Sequence, residues 1–172
     1  MKKKLTIAAL VMGSLAAGAA SANGGEVQFI GSVTDVTCDI SPEVNGVLKN
    51  TVELGTMKTD GSGSQAVDFK LVPRDAACLA KTDASVGWAS AGFDSIGLAN
   101  MKGDATGASI KLIALNSSVP NTAITSNNQN VEFSKAGGIG ALEFQAQLVK
   151  TGTAAATAGT VISSASYSVA YK

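Results

Sequence analysis

Few of the 172 residues carry side chains suited to catalysis or metal binding. The chain has two cysteines, Cys38 and Cys78, thirteen acidic residues and no histidine. Without an imidazole, no Ser-His-Asp or Cys-His arrangement can form, and no histidine-ligated metal site is possible. The carboxylates match no calcium-loop spacing, and a pair placed for glycosidase chemistry would arise only by chance. We therefore expect a protein that is not an enzyme and that uses no metal or cofactor.

The start of the chain predicts export. Lysines occupy positions 2–4, a run of apolar and small residues follows over 5–20, and Ala20-Ser21-Ala22 is a small-x-small cleavage signal. This order is typical of a secretory signal peptide, here residues 1–22. The alternative is a transmembrane anchor, but a run this short and rich in alanine and glycine falls below the roughly 20 residues of a span.

Export changes the interpretation of the two cysteines. In an oxidising compartment, Cys38 and Cys78 are expected to form one structural disulfide. A free or catalytic thiol is the alternative, but a redox-active pair usually has the C-x-x-C spacing, which is absent. Two thiols without an imidazole do not complete a metal site.

Charge argues against a polyanionic partner. Cleavage after residue 22 removes three lysines and leaves 150 residues with a net charge of −3. Only 15% of the whole chain is charged, against about 25% in an ordinary soluble domain. A protein that binds nucleic acid needs an excess of clustered Lys and Arg. We therefore expect one domain and no nucleic-acid partner.

Alternation of apolar and polar residues predicts β-strands and no long helix. The predicted strands cover 27–33, 47–54, 67–71, 110–114, 142–148 and 167–172, and Pro73 is expected to end the third. Segments rich in Gly, Ser, Asn and Thr predict turns or loops over 59–64, 116–130, 137–140 and 151–160. Many short strands separated by such turns favour an all-β sandwich.

Several segments, in this order along the chain, resemble the subunits of chaperone–usher fimbriae, the type 1 and P-pilus pilin family. The resemblance is carried by Gly25–Val33, Cys38-Asp39-Ile40, Val52-Glu53-Leu54-Gly55, Ala141–Leu148 and the alternating Ala165–Lys172. It covers essentially the whole chain after the signal peptide. It implies an incomplete immunoglobulin-like β-sandwich that lacks its last strand and is completed by a donor strand from another chain. The implied domains are the signal peptide 1–22, an N-terminal donor-strand extension 23–31 and a pilin sandwich 32–172.

The resemblance also implies partners. The extension of one subunit would enter the groove of an identical subunit through Asn23, Gly25, Val27 and Phe29, with Gly25 aligned to the glycine where exchange begins. A periplasmic chaperone would occupy the groove first, pairing with the terminal strand, and an outer-membrane usher would host the exchange. The contacts expected on that strand are Tyr167, Val169, Tyr171 and the terminal residue Lys172. An ordinary first strand of a closed sandwich is the alternative for Val27 and Phe29.

The function implied by the resemblance is a structural subunit of a fimbria on the bacterial surface, exported through the periplasm and supporting adhesion. A second hypothesis is that the repeated subunit itself binds host glycans, with Trp88 and Lys150 as possible contacts. For Trp88, an ordinary core position is the favoured interpretation. A secreted toxin-like pilin is a more remote alternative.

Overall fold

The computed structural model describes residues 38–172, and these residues form two antiparallel β-sheets with one short helix. The strands in chain order are β1 (Ile40–Val44), β2 (Val47–Leu48), β3 (Val67–Pro73), β4 (Asp83–Ala89), β5 (Leu98–Ala99), β6 (Ala108–Ala114), β7 (Thr122–Ile124), β8 (Asn130–Ser134), β9 (Leu142–Lys150) and β10 (Ser166–Tyr171). Helix α1 (Ala76–Leu79) connects β3 to β4. The all-β prediction is confirmed. No helix in this described part of the chain is long and apolar enough to cross a membrane.

The larger sheet has the strand order β2-β1-β3-β9-β6-β5, with β7 also paired to β6. The smaller sheet has the order β10-β4-β8. In β9 the burial alternates strictly, with Leu142, Phe144, Ala146 and Leu148 buried between less buried neighbours. This alternation places one face of the larger sheet on the core, as the period-two pattern predicted.

Aromatic side chains from both sheets meet at the centre of the core. Phe144 of β9 is fully buried. Its ring stacks on Phe69 of β3, with centroids 5.4 Å apart, and contacts Trp88 and Phe133 edge to face at 5.2 and 5.7 Å. Because Trp88 and Phe133 belong to β4 and β8, these contacts join the two sheets face to face, in geometries that aromatic pairs prefer.

Two predictions need correction. The segment 47–54 forms a strand only at Val47–Leu48, and the predicted loop 116–130 contains β7. The prediction that Pro73 ends the third strand is confirmed, because Pro73 is the last residue of β3 and pairs there with Ile40. A proline can end a strand because its missing N–H is tolerated there.

Strands β1, β4, β5 and β8 were not predicted. For β1 a signal was present in Asn45-Gly46, whose positive φ angles of 52° and 77° make the tight hairpin turn into β2. Pro42 within β1 weakened that signal, because proline is depleted in strands.

Candidate functional site

The last strand, β10, lies at an edge of its sheet. It pairs with β4 along its whole length, with Tyr167 opposite Trp88 and Tyr171 opposite Ala84. Within residues 38–172, no strand pairs with the other edge of β10. That edge therefore presents backbone N–H and C=O groups that can accept a further strand.

A second segment, residues 50–57, also lacks a backbone partner within the described range. Val52, Leu54 and Met57 are half-buried and pack against the core, while Thr51 and Glu53 are exposed. No backbone hydrogen bond joins this segment to another residue of the described range. Its side chains are therefore buried on one side, as in a strand, but its backbone makes no ladder hydrogen bonds within the described range.

Between these elements lies an open groove, formed by two adjoining cavities of about 930 and 460 Å³. One wall is residues 49–60 and the other is residues 156–165. The floor is apolar and comes from β3, β4, β5, β6 and β9, through Phe69, Leu71, Trp88, Leu98, Ile110, Leu112, Ala146 and Leu148. We call this feature the open groove.

Two hydrogen bonds connect the elements on either side of the open groove. The Ala156 N–H donates to the Thr59 carbonyl at 2.8 Å and joins the walls at the wider cavity. The Tyr167 hydroxyl donates to the Ile40 carbonyl at 3.3 Å and joins β10 to β1. The groove is thus a bounded slot in an otherwise packed sandwich.

The residues predicted as contacts on the terminal strand lie on β10 or directly after it. Tyr167 and Val169 are half-buried against the core, and Tyr171 is only 2% exposed. Burial raises the pKa of Tyr171 to about 12, so its hydroxyl stays protonated at physiological pH. Lys172 is exposed, its N–H donates to the Asp83 carbonyl at 2.9 Å, and its ammonium pairs with Glu132 at 3.1 Å.

The predicted disulfide is confirmed. Cys38 and Cys78 are bonded, with their Cα atoms 6.1 Å apart. Cys78 lies on α1 and is fully buried. The bond fixes Cys38, two residues before β1, to the helix that follows β3. The signal peptide 1–22, the boundary of the extension 23–31 and the donor residues Asn23, Gly25, Val27 and Phe29 lie outside the described residues.

The two possible glycan contacts occupy different environments. Trp88 is 5% exposed and is held among Phe69, Phe144 and Tyr167 at the groove floor. The Lys150 ammonium donates to the carbonyls of Gly152, Thr153 and Ala154 at 2.8, 3.2 and 3.1 Å. Neither environment resembles an exposed aromatic platform beside a free cation, and glycan binding stays a prediction.

Two polar atoms beside the open groove have no hydrogen-bond partner within the described range. They are the indole N–H of Trp88 and the hydroxyl of Ser163, and both are buried. Both residues line the smaller cavity. A buried polar group without a partner costs about 1–3 kcal/mol. Sequence reasoning missed Ser163, because a serine in a loop carries no burial signal.

Asp94 stabilises the connection between β4 and β5, the strands that contribute Trp88 and Leu98 to the groove floor. Its carboxylate accepts hydrogen bonds from the N–H groups of Ile96 and Gly97 and from the buried Ser109 hydroxyl, each at 2.7 Å. Partial burial opposes ionisation, but these three bonds outweigh it and lower the pKa of Asp94 below its ordinary value of 3.8.

The lowered pKa of Asp94 predicts a loss of stability in acid. The stabilisation is complete above the unfolded pKa and is lost as the pH falls through the lower folded value. We expect Asp94→Ala to cost about 1–3 kcal/mol at neutral pH, because buried donors lose their acceptor. The test is urea unfolding of the unaltered chain and of Asp94→Asn between about pH 7 and about pH 2. Asp94→Asn removes this titration, so its stability should fall less in acid. Equal acid sensitivity of Asp94→Asn and the unaltered chain would contradict the assignment.

These features define a class of protein, a β-sandwich subunit whose sheet is open at one strand position. No protein-family model matches the chain. It is 33% identical to the K99 fimbrial protein of Escherichia coli over 181 residues, covering 98% of this chain and 99% of that protein. It is also 33% identical to the F107 fimbrial protein of Escherichia coli over 176 residues, covering 99% of each.

The solved structure of the P pilus rod subunit PapA is similar in fold, with a TM-score of 0.51 at 20% identity. The match covers 86% of this chain and all of that one. The chain belongs to the family of fimbrial proteins that includes K99 and F107. It is a structural subunit that polymerises into a surface fimbria.

Proposed function

We propose that the subunits join by donor-strand exchange, in which residues 23–31 of one copy fill the open groove of the next. The observation that carries this proposal is the pair of unpaired edges, β10 and residues 50–57, on either side of an apolar floor. Neighbouring strands lie about 4.8 Å apart, and we infer that one inserted strand bonds to both edges. Strand addition of this kind takes affinity from the backbone and specificity from alternate side chains.

The extension has the composition that such a groove requires. Two large apolar side chains, Val27 and Phe29, alternate with the polar Glu26 and Gln28. Burying the two apolar side chains contributes roughly 1.5–3 kcal/mol each. Gly25 lacks a Cβ and lets the incoming backbone approach closely.

The same groove calls for a partner before assembly. An open apolar slot beside an unpaired edge is an aggregation hazard. The signal peptide 1–22 directs the chain to the periplasm. There a chaperone lends a strand that pairs with β10. At an outer-membrane usher, the extension of the next subunit then replaces the chaperone strand. The proposed contacts on β10 are Tyr167, which lines the smaller cavity, with Val169 and Tyr171, and the backbone of Lys172 ends the paired strand. The finished fimbria supports adhesion of the cell.

A peptide competition tests the exchange. The mature chain, residues 23–172, is refolded with an excess of a synthetic peptide of residues 23–31, and unheated samples are separated on a denaturing gel. The peptide is expected to occupy the grooves and to reduce multimers at least tenfold. A control peptide carrying Val27→Asp and Phe29→Asp is expected to leave them unchanged. Multimers that form equally with both peptides would contradict the proposal.

A further inference from the structure

We propose that Asn100 is a positioning residue that fixes the 156–165 wall of the open groove and so determines how firmly an inserted strand is held. This inference rests on the proposed function. Asn100 is not among the residues that line either cavity. It acts through the wall, to whose backbone its side chain is hydrogen-bonded at Thr160 and Ile162.

The wall needs external support because residues 157–162 belong to no strand. Their backbone is bonded instead to residues 101–106. Met101 and Lys102 donate N–H groups to the Ile162 carbonyl at 2.9 and 3.1 Å, and Ala105 donates to the Thr160 carbonyl at 3.0 Å. Thr157 donates in the reverse direction, to the Thr106 carbonyl at 3.0 Å.

The Asn100 side chain lies at the centre of this contact. Its Nδ2 donates to the carbonyls of Ala105 and Thr160 at 2.7 and 3.0 Å. Its Oδ1 accepts from the N–H groups of Gly103 and Ile162 at 2.9 and 2.8 Å. A side-chain amide has two donor hydrogens and two acceptor lone pairs, so all four are used. Three of the four bonded residues, Ala105, Thr160 and Ile162, line the groove.

Close packing against residues 103–105 fixes the position of the wall. A Cβ added at Gly103 would lie 2.0 Å from the Thr160 carbonyl oxygen. A Cβ added at Gly159 would lie 2.7 Å from the Ala105 nitrogen, and Gly159 also has a positive φ of 154°. The two segments therefore touch backbone to backbone, and a larger residue at either glycine would push the wall away.

Wall position matters because residues 156–165 lead directly into β10, the strand whose free edge bonds to the inserted strand under the proposed function. Ladder hydrogen bonds weaken steeply when donor and acceptor move beyond about 3.2 Å or lose alignment. Ile162 projects from this wall with 49% of its surface exposed and lines both cavities. A displaced wall would lose its contact with the inserted strand while the sandwich behind it stays folded.

The test measures how long a bound strand stays bound. Mature chains with Asn100→Ala or Gly103→Ala are refolded with a fluorescent peptide of residues 23–31, and the dissociation half-life of the peptide is followed. Asn116 provides a matched control, because its amide also joins two segments, donating to the Ala141 carbonyl at 2.9 Å and accepting from the Glu143 N–H at 2.8 Å. Asn116 lines neither cavity.

We expect Asn100→Ala and Gly103→Ala to shorten the half-life at least tenfold, and Asn116→Ala to leave it within about twofold, although Asn100→Ala and Asn116→Ala each lower the urea midpoint. Asn100→Asp should act like Asn100→Ala, since its carboxylate would face two carbonyl oxygens. A half-life that falls equally in the Asn100 and Asn116 variants would overturn the inference and leave the proposed function standing. Failure of the unaltered chain to hold the peptide would overturn both.

Discussion

Replacing Val27 and Phe29 together by aspartate is expected to abolish the fimbria. Each substitution removes roughly 1.5–3 kcal/mol of apolar burial. Each also forces a carboxylate toward an apolar floor, where an unpaired charge is strongly disfavoured. The combined loss is comparable with all that the backbone ladder of a short strand supplies, because each of its bonds contributes about 0.5–1.5 kcal/mol net.

Electron microscopy of cells that express the altered subunit with its assembly partners measures the result. We expect bare cells, with the variant subunit still folded in the periplasm. Gln28→Asp is the matched control, since its side chain has the opposite parity and would point away from the floor. Fibres of normal length from the double variant would show that Val27 and Phe29 belong to an ordinary strand of their own subunit.

Removing the disulfide by Cys38→Ser with Cys78→Ser is expected to cost about 4 kcal/mol, the loop-entropy value for a ring of this size. The bond joins residues 40 positions apart and fixes β1 to α1. The cost is a large share of the roughly 5–15 kcal/mol that stabilises a domain. A sandwich with an open groove has less apolar burial in reserve than a closed one. We therefore expect low periplasmic yield.

Urea unfolding of the purified double variant measures the cost directly. The reduced form of the unaltered chain serves as the control and should unfold at the same midpoint as the variant. A midpoint close to that of the oxidised chain would show that the bond contributes little. Because the change touches no groove residue, peptide of residues 23–31 should still bind the fraction that folds.

Much of the fold could be predicted from alternation. In a strand with one solvent-exposed face, the buried residues appear as every second residue in the sequence. In β9, Phe144 and Leu148 are apolar and Gln145 and Gln147 are polar, so both the strand and its core face were found. In β4 the buried Ala84 and Gly87 give little hydropathy contrast, and the strand was missed. The disulfide followed from export and from the presence of only two cysteines.

The segment after β2 shows why pairing could not be predicted. The alternation of Val52, Glu53 and Leu54 correctly indicated which side chains face the core. It also predicted a strand, but a strand needs a partner, and no described residue supplies one. The pattern is that of a strand, and under the proposed function its missing neighbour comes from another copy.

The groove itself depends on long-range placement. Its floor gathers Phe69, Trp88 and Leu148 from three strands far apart in sequence. Its wall is held by Asn100, a polar loop residue whose four bonds no local pattern predicts. The resemblance to pilins implied a groove beside the last strand, but only the structure shows which residues form and support it.

A cryo-electron microscopy map of the native fimbria tests the central claim most directly. The account predicts that residues 23–31 of one subunit lie between β10 and residues 50–57 of its neighbour, with Val27 and Phe29 turned toward the floor at Trp88. A map in which each subunit fills its own groove, or in which the groove stays empty while subunits join elsewhere, would contradict it.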